Sequence, residues 1–282
     1  MKIIITGGSG SVAQGLIELA LAKTNHSLVL VDRVPPSAGS IIDSPRIEYI
    51  TAELRTYTTY LEILSSKRAD ALVHLAAYPA PWHAHASEIF EANVVLSYNA
   101  LVAAAEASIK RVVMASSVNA IGGMYCPGTP KYEYFPIDEA HPVRPEDAYS
   151  LSKQVLELQG DSIARTHPDM SIASLRFHHC VPKKKSSGPN VDKGWKDLWG
   201  WTSTESAARA CLFALSVPWK GHEVMIIASP EHYADGHAEE LARKYYPQAK
   251  RKSGPLRKDQ AFYDCSKAER LLDWKHDGGR QL

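Results

Sequence analysis

Three β-branched residues in a row, Ile3, Ile4 and Ile5, open the apolar pattern of the chain. So short and continuous a run fits a strand buried on both faces of a parallel sheet. Thr6 to Gly10 break it, and from Val12 the apolar positions recur at helical spacing, at Ala13, Leu16, Ile17, Ala20 and Leu21. Residues 28–31 are a second buried run, closed by Asp32. The alternation then continues. The pattern predicts strands at 47–50, 70–77, 111–115, 172–177 and 223–228. It predicts helices at 57–66, 87–107, 149–165, 205–217, 237–245 and 266–272, with Ser87 as the cap of its helix. Strands alternating with helices through the first two thirds argue for an α/β protein, a parallel sheet covered on both faces. A polar loop at 181–194 suggests a boundary between residues 1–180 and a small annex, 181–282, that partly returns to the main sheet.

The first unit also carries chemistry. Strand, glycine turn and helix in succession make a glycine motif informative. Gly7 allows a tight turn, Gly10 lets the backbone approach a pyrophosphate, and small Ala13 lets the helix pack close to the strand. The helix N-terminus faces the anion. Asp32 ends the second strand about twenty residues further on, where a carboxylate can bond the adenosine ribose hydroxyls.

Composition narrows the class. The chain has 282 residues, 45% of them apolar, enough for one large domain or a domain with an annex. A net charge of +1 argues against nucleic acid as a partner. Cys126, Cys180, Cys211 and Cys265 form no Cys-x-x-Cys pair, which argues against structural zinc and for a reducing, cytoplasmic setting. No apolar run approaches the roughly 20 residues of a membrane helix. The N-terminus reads as a core strand, so no signal peptide is expected.

The reacting groups come later. Tyr149 and Lys153 stand four residues apart, on one face of a helix. A nearby ammonium favours a phenolate, so Lys153 is expected to lower the Tyr149 pKa and suit it to acid–base work. Ser117 ends the fifth strand, on the side where open α/β sheets bind ligands, and can hold the same substrate oxygen. A Tyr-x-x-x-Lys pair alone is common by chance. The order of glycine turn, acidic strand end, Ser, then Tyr and Lys makes it informative.

That order resembles the extended short-chain dehydrogenases/reductases grouped as NAD-dependent epimerase/dehydratase proteins. The matching residues are Thr6, Gly7, Gly8, Gly10 and Ala13; His74 to Ala77; and Asn93-Val94. Ser116, Ser117 and Gly122, Tyr149 and Lys153, Leu175-Arg176 and the closing 264–274 segment follow. The resemblance covers nearly the whole chain. It implies a Rossmann-type doubly wound sheet, NAD as cofactor and a homodimer through the 87–107 and 149–165 helices. It makes Tyr149 the acid/base, Lys153 the residue that tunes it and binds the nicotinamide ribose, and Ser117 the group that orients substrate. Gly7, Gly10, Ser11 and Val12 would meet the pyrophosphate, and Asp32 and Arg33 the adenosine end. Glu53 and Leu54 stand near the adenine, where the family often has Asp-Leu. Leu75, Ala76 and Ala77 approach the cofactor, with Asn93 behind the site. Of His178 and His179 at the end of the sixth strand, one faces the nicotinamide and the other the core, with His178 as the candidate.

Among such proteins the chain is similar to the compact uronate dehydrogenases. Tyr78, Ser117, Val118, Asn119, His178 and Lys184 are then the substrate-side candidates. Two departures stand out: Val118-Asn119 replaces an Asn-His pair, and Lys183 to Lys185 stand where those proteins use an arginine for a carboxylate. Arg33 could pair with a 2′-phosphate, but Asp32 would repel it, so NAD is favoured over NADP. The implied reaction is hydride transfer at a secondary alcohol or ketone of a small polar substrate such as a hexuronate. An epimerase or dehydratase with resident NAD, a natural-product ketone reductase and a non-enzymatic dinucleotide sensor are the alternatives. His83-x-His85 has no accompanying carboxylate and cysteine cluster and reads as a cleft or surface loop. Trp195, Trp199 and Trp201 read as packing between annex and sheet.

Overall fold

The computed structural model describes residues 1–35, 43–182 and 194–279. Its first half repeats strand and helix: β1 (Lys2–Thr6), α1 (Ser11–Lys23), β2 (Ser27–Asp32), β3 (Ile47–Thr51), α2 (Tyr57–Lys67), β4 (Ala71–His74), α3 (Ala86–Glu106) and β5 (Arg111–Ser117). A 3-10 turn, Val118–Ile121, leads to the two-residue β6 (Tyr134–Phe135). Then come α4 (Ala148–Thr166), β7 (Ser171–Phe177), β8 (Cys180–Val181), β9 (Thr202–Ser203), α5 (Thr204–Ser216) and β10 (Gly221–Ile227). The chain closes with α6 (Ala238–Tyr245), β11 (Lys250–Arg251), α7 (Ser266–Leu272), β12 (Trp274–Lys275) and β13 (Gly278–Gly279).

Seven strands form one parallel sheet in the order β10-β7-β5-β4-β1-β2-β3. The chain builds outward from β1 to β3, then returns to the other side of β1 for β4. That reversal opens a crevice at the carboxyl ends of β1 and β4, where a doubly wound sheet takes its ligand. Alternate residues of each strand enter opposite cores. Ile3, Ile5, Leu28, Leu30 and Val113 pack under α1 and α5. Ile4, Val29, Val31, Leu72 and Met114 pack under α2, α3 and α4. Ile3, Ile4 and Ile5 are fully buried, each contributing about 1.5–3 kcal/mol of apolar transfer. The closeness of the outer layer shows at Gly15, where an added Cβ would stand 2.6 Å from Thr204 Cγ2 on α5.

Two local details differ from the sequence pattern. The fourth strand stops at His74, after a last ladder bond from Leu75 N to Thr6 O at 3.1 Å, and Ala76 beyond it lies against Gly7. The cap of α3 is His85, not Ser87. Ser87 is already inside the first turn, and its N–H donates to the His85 side chain.

A third, aromatic core lies beyond the carboxyl ends of β5, β7 and β10. It holds Tyr132, Phe135, Trp199, Tyr246 and Phe262. These residues come from both sides of position 181. β6 pairs in parallel with β11, Ile137 bridges to Tyr263, and β8 pairs with β9. Trp199 is fully buried there, and Trp195 stacks on Tyr245 at 6.1 Å. β10 then returns to the large sheet beside β7. Among the described residues no helix is long and apolar enough to cross a membrane.

Candidate functional site

A cleft of about 730 Å³ runs along the carboxyl ends of the central strands. One end is built by the turn after β1. Gly7 has φ +71°, and a Cβ there would stand 2.8 Å from Ala76 N, so a side chain is excluded by both conformation and contact. Gly10 is the N-cap of α1 and offers no side-chain cap. The first amide groups of the helix, at Ser11 and Val12, therefore keep their hydrogen-bonding capacity at the cleft wall. Asp32 accepts from Ser9 N (3.0 Å) and Val34 N (3.3 Å). This pins the second strand end to the glycine turn. An anion-binding helix start with a carboxylate beside it fits a dinucleotide.

Arg33 turns its guanidinium over the Tyr78 ring, 5.4 Å from the centroid, and the Tyr78 hydroxyl donates to Glu88 at 2.6 Å. Glu53 accepts from Arg55 N at 3.0 Å, and Leu54 is buried at the cleft wall. Beneath the turn, the Thr6 and Tyr60 hydroxyls converge on His74 Nδ1 at 2.8 and 3.0 Å. Burial pulls the His74 pKa down to about 3, so this imidazole is neutral.

Ser117, Tyr149 and Lys153, the expected reacting groups, meet at the other end. Asp147 caps α4 by accepting from Ser150 N at 2.9 Å, and the helix then turns Tyr149, Lys153 and Glu157 inward on one face. Ser117 closes β5, its hydroxyl accepting from Asn119 N at 3.2 Å, and it stands close enough to the Tyr149 phenol to lower its pKa. Lys153 Nζ donates to Ala115 O at 2.7 Å and lies 5.6 Å from the Tyr149 ring centroid. The expected lowering of the phenol pKa is not what this geometry gives. Burial pushes Tyr149 well above its ordinary value, opposed in part by Ser117. The Lys153 ammonium is itself desolvated, its pKa brought down to about 8, and its hydrogen bond goes to the strand rather than the phenol.

Asn93 and His178 act as braces around the cleft. Asn93 does not line the cleft. It accepts from Tyr78 N (2.8 Å) and donates to Tyr78 O (3.1 Å) and Ser152 Oγ (3.1 Å), holding a cleft loop to α4. His178 does line the cleft, but its Nδ1 accepts from His179 N at 2.7 Å. That leaves Nε2–H to donate to Asp197 O at 2.9 Å, and burial keeps the ring neutral with a pKa of about 4. Behind Lys153, Glu157 accepts from Ser116 Oγ (2.6 Å) and from two Arg176 nitrogens (both 2.8 Å).

Gly7, Gly10, Ser11, Val12, Asp32, Arg33, Glu53 and Leu54 all line this one cleft. So do Leu75, Ala76, Ala77, Tyr78, Ser117, Val118, Asn119, Tyr149 and Lys153. Lys184, with Lys183 and Lys185, lies outside the described residues. Sequence reasoning missed Trp82, Met124 and Tyr125, which also line it. Their signal was the length of the two loops that carry them. His83 lines the cleft while His85 caps α3.

Comparison with known proteins bears on the fold and the family. Solved structures share the fold over nearly the whole chain. A UDP-glucose 4-epimerase from Bifidobacterium longum, solved with NAD+ and UDP, has a TM-score of 0.73 at 17% identity, covering 98% of this chain and 93% of that one. A mutated uronate dehydrogenase has a TM-score of 0.70 at 22% identity, covering 99% and 82%. An L-arabinose 1-dehydrogenase (NAD(P)(+)) of Haloferax volcanii is 30% identical over 182 residues, 62% of this chain and 66% of that protein. The matched stretches span about half the length of other curated relatives. The family model of the NAD dependent epimerase/dehydratase family matches residues 3–191, which include the glycine turn, Asp32, Ser117, Tyr149 and Lys153. The chain belongs to that family of NAD-dependent enzymes, of the extended short-chain dehydrogenase/reductase type.

Proposed function

We propose that the protein transfers hydride between NAD and a secondary alcohol, or its ketone, on a small polar substrate, with hexuronates as the first candidates. One observation carries this reading: Tyr149, Lys153 and Ser117 meet at one end of a cleft whose other end holds the glycine turn and Asp32. Ser11 and Val12 amides would hold the pyrophosphate and Asp32 the adenosine ribose. NAD, when bound, supplies the acceptor for hydride leaving the alcohol carbon. In oxidation the Tyr149 oxygen takes the hydroxyl proton while Ser117 holds the substrate oxygen. In reduction the same phenol gives its proton to the carbonyl oxygen. The raised Tyr149 pKa makes the phenol an acid at neutral pH, so oxidation should speed up as pH rises.

An epimerase or dehydratase is the second reading, supported by UDP-glucose 4-epimerases among the relatives. The nucleotide released from purified protein by denaturation separates the two. Nucleotide-free protein that turns over uronates or polyols with added NAD supports the dehydrogenase. Near-stoichiometric NAD moves the assignment to the epimerase or dehydratase. NADP would overturn the cofactor choice.

A homodimer through α3 and α4 is part of the proposal. Tyr98 on α3 and Leu158 on α4 are more than half exposed, as an uncovered helix pair would leave them. Cytoplasmic location is proposed from the four unpaired thiols.

A further inference from the structure

Hydride transfer accounts for the phenol, the ammonium and the glycine turn, but not for the aromatic wall outside them. Trp82, between β4 and α3, is 69% exposed. Folding ordinarily covers most of an indole, so an indole left open at a cleft is available to a ligand. Its ring stacks on His83 at 6.2 Å and meets Tyr125 edge-on at 5.4 Å. Tyr125 meets Tyr149 edge-on at 6.0 Å. Three rings therefore run in a row outward from the phenol assigned to the proton. Burial, with the Asp147 and Asp197 carboxylates nearby, pushes the Tyr125 pKa up to about 12. It is a neutral hydrogen-bonding group at any working pH. At this end of the cleft the described residues Trp82, His83, Val118, Asn119, Met124 and Tyr125 include no carboxylate, ammonium or guanidinium. Trp82 and Tyr125 stand at 88° to one another, so the wall is an apolar corner of two rings, with the Asp147 and Asp197 carboxylates acting on Tyr125 from beside it.

We propose that Trp82 and Tyr125 are specificity-determining residues, a platform that takes the C–H face of a cyclic monosaccharide and selects it over an open-chain polyol. The proposal rests on the hydride-transfer reading. A ring presents a flat patch of C–H groups that lies against an aromatic face while its hydroxyls point to the rim. An open chain must be ordered to do the same and gives up rotational freedom. The platform holds the ring so that one hydroxyl reaches Tyr149 and Ser117.

The test uses the full-length protein loaded with NAD. The probes are D-glucuronate, D-galacturonate and D-galactose as rings, and galactitol and sorbitol as open chains. Binding is read by saturation-transfer NMR and turnover by NADH absorbance. At least one ring sugar should bind and neither hexitol should. Trp82→Ala should weaken ring binding and raise KM about tenfold with kcat and NAD affinity kept, and Trp82→Phe should restore most of it. Tyr125→Leu should do the same at the inner position. Preference for a hexitol, failure of every ring sugar to bind, or an unchanged KM in Trp82→Ala overturns the platform. Ring sugars that bind through Trp82 without NADH formation overturn the hydride-transfer reading and spare the platform.

Discussion

The two ends of the cleft are built differently. The end proposed for the dinucleotide rests largely on backbone and a carboxylate close together in the chain: a glycine at φ +71°, uncapped helix amides and Asp32. The reaction end is made by side chains that arrive from β5, α4 and two long loops. The first end is determined by short-range geometry, and the second by how distant segments pack. A cofactor common to many chains can be held by local backbone, whereas a particular substrate needs a wall assembled from segments free to vary.

Crossed substitutions should separate the ends. Tyr149→Phe removes the proton-transfer group and keeps the ring, so turnover should fall by about 10²–10⁴-fold while NAD affinity holds in a fluorescence titration. Loss of NAD binding in that variant would mean that the ends are not separate. Glu157→Gln leaves the buried Arg176 guanidinium without its charge partner and should cost about 3–5 kcal/mol in urea unfolding. A near-neutral result would remove that pair as the brace of the reaction end. Gly7→Ala adds a Cβ at positive φ, 2.8 Å from Ala76 N. It should cost about 1–3 kcal/mol and most of the NAD affinity.

The smallest effect is a pH dependence at Lys153. Its pKa is about 8 in the folded protein against an ordinary 10.5. Between those values the unfolded chain binds the proton and the folded chain does not. Stability should therefore rise with pH across that window, by up to about 1.4 kcal/mol per pH unit from this group. Below pH 8 both states are protonated and the burial cost remains in full. Lys153→Met should abolish the rise in a series of unfolding curves, and an unchanged slope would assign it to other groups.

The same contrast explains what could be read from the sequence. The strand–turn–helix unit, Asp32 and the Tyr149–Lys153 pair were legible because each is a local pattern with a fixed period. Asn93 was expected behind the site and His178 toward the nicotinamide, but which partners their polar atoms take, the Tyr78 loop and the Asp197 backbone, came only with the fold. Sequence position locates a side chain near a site without saying which neighbour takes its hydrogen bonds. The Tyr149 pKa went the other way from expectation because desolvation, which no spacing reveals, outweighs a cation bonded elsewhere. Trp82 and Tyr125 lay in loops with no periodicity, so only the fold brings them together.

The packing of α1 against α5 bears on how the protein is made. Gly15 lies against Thr204, and Ala13, Ile17 and Ala20 share one core with Ala208 and Leu212. A chain that has left the ribosome only as far as residue 180 already contains the glycine turn, Ser117, Tyr149 and Lys153. It lacks α5, which packs on α1, β5 and β7, so the flank of α1 beside Gly15 and the neighbouring strand surface are left facing water. Synthesis of the reacting groups thus precedes completion of the core that holds them, and a chain halted there is open to aggregation and proteolysis until its later part folds back.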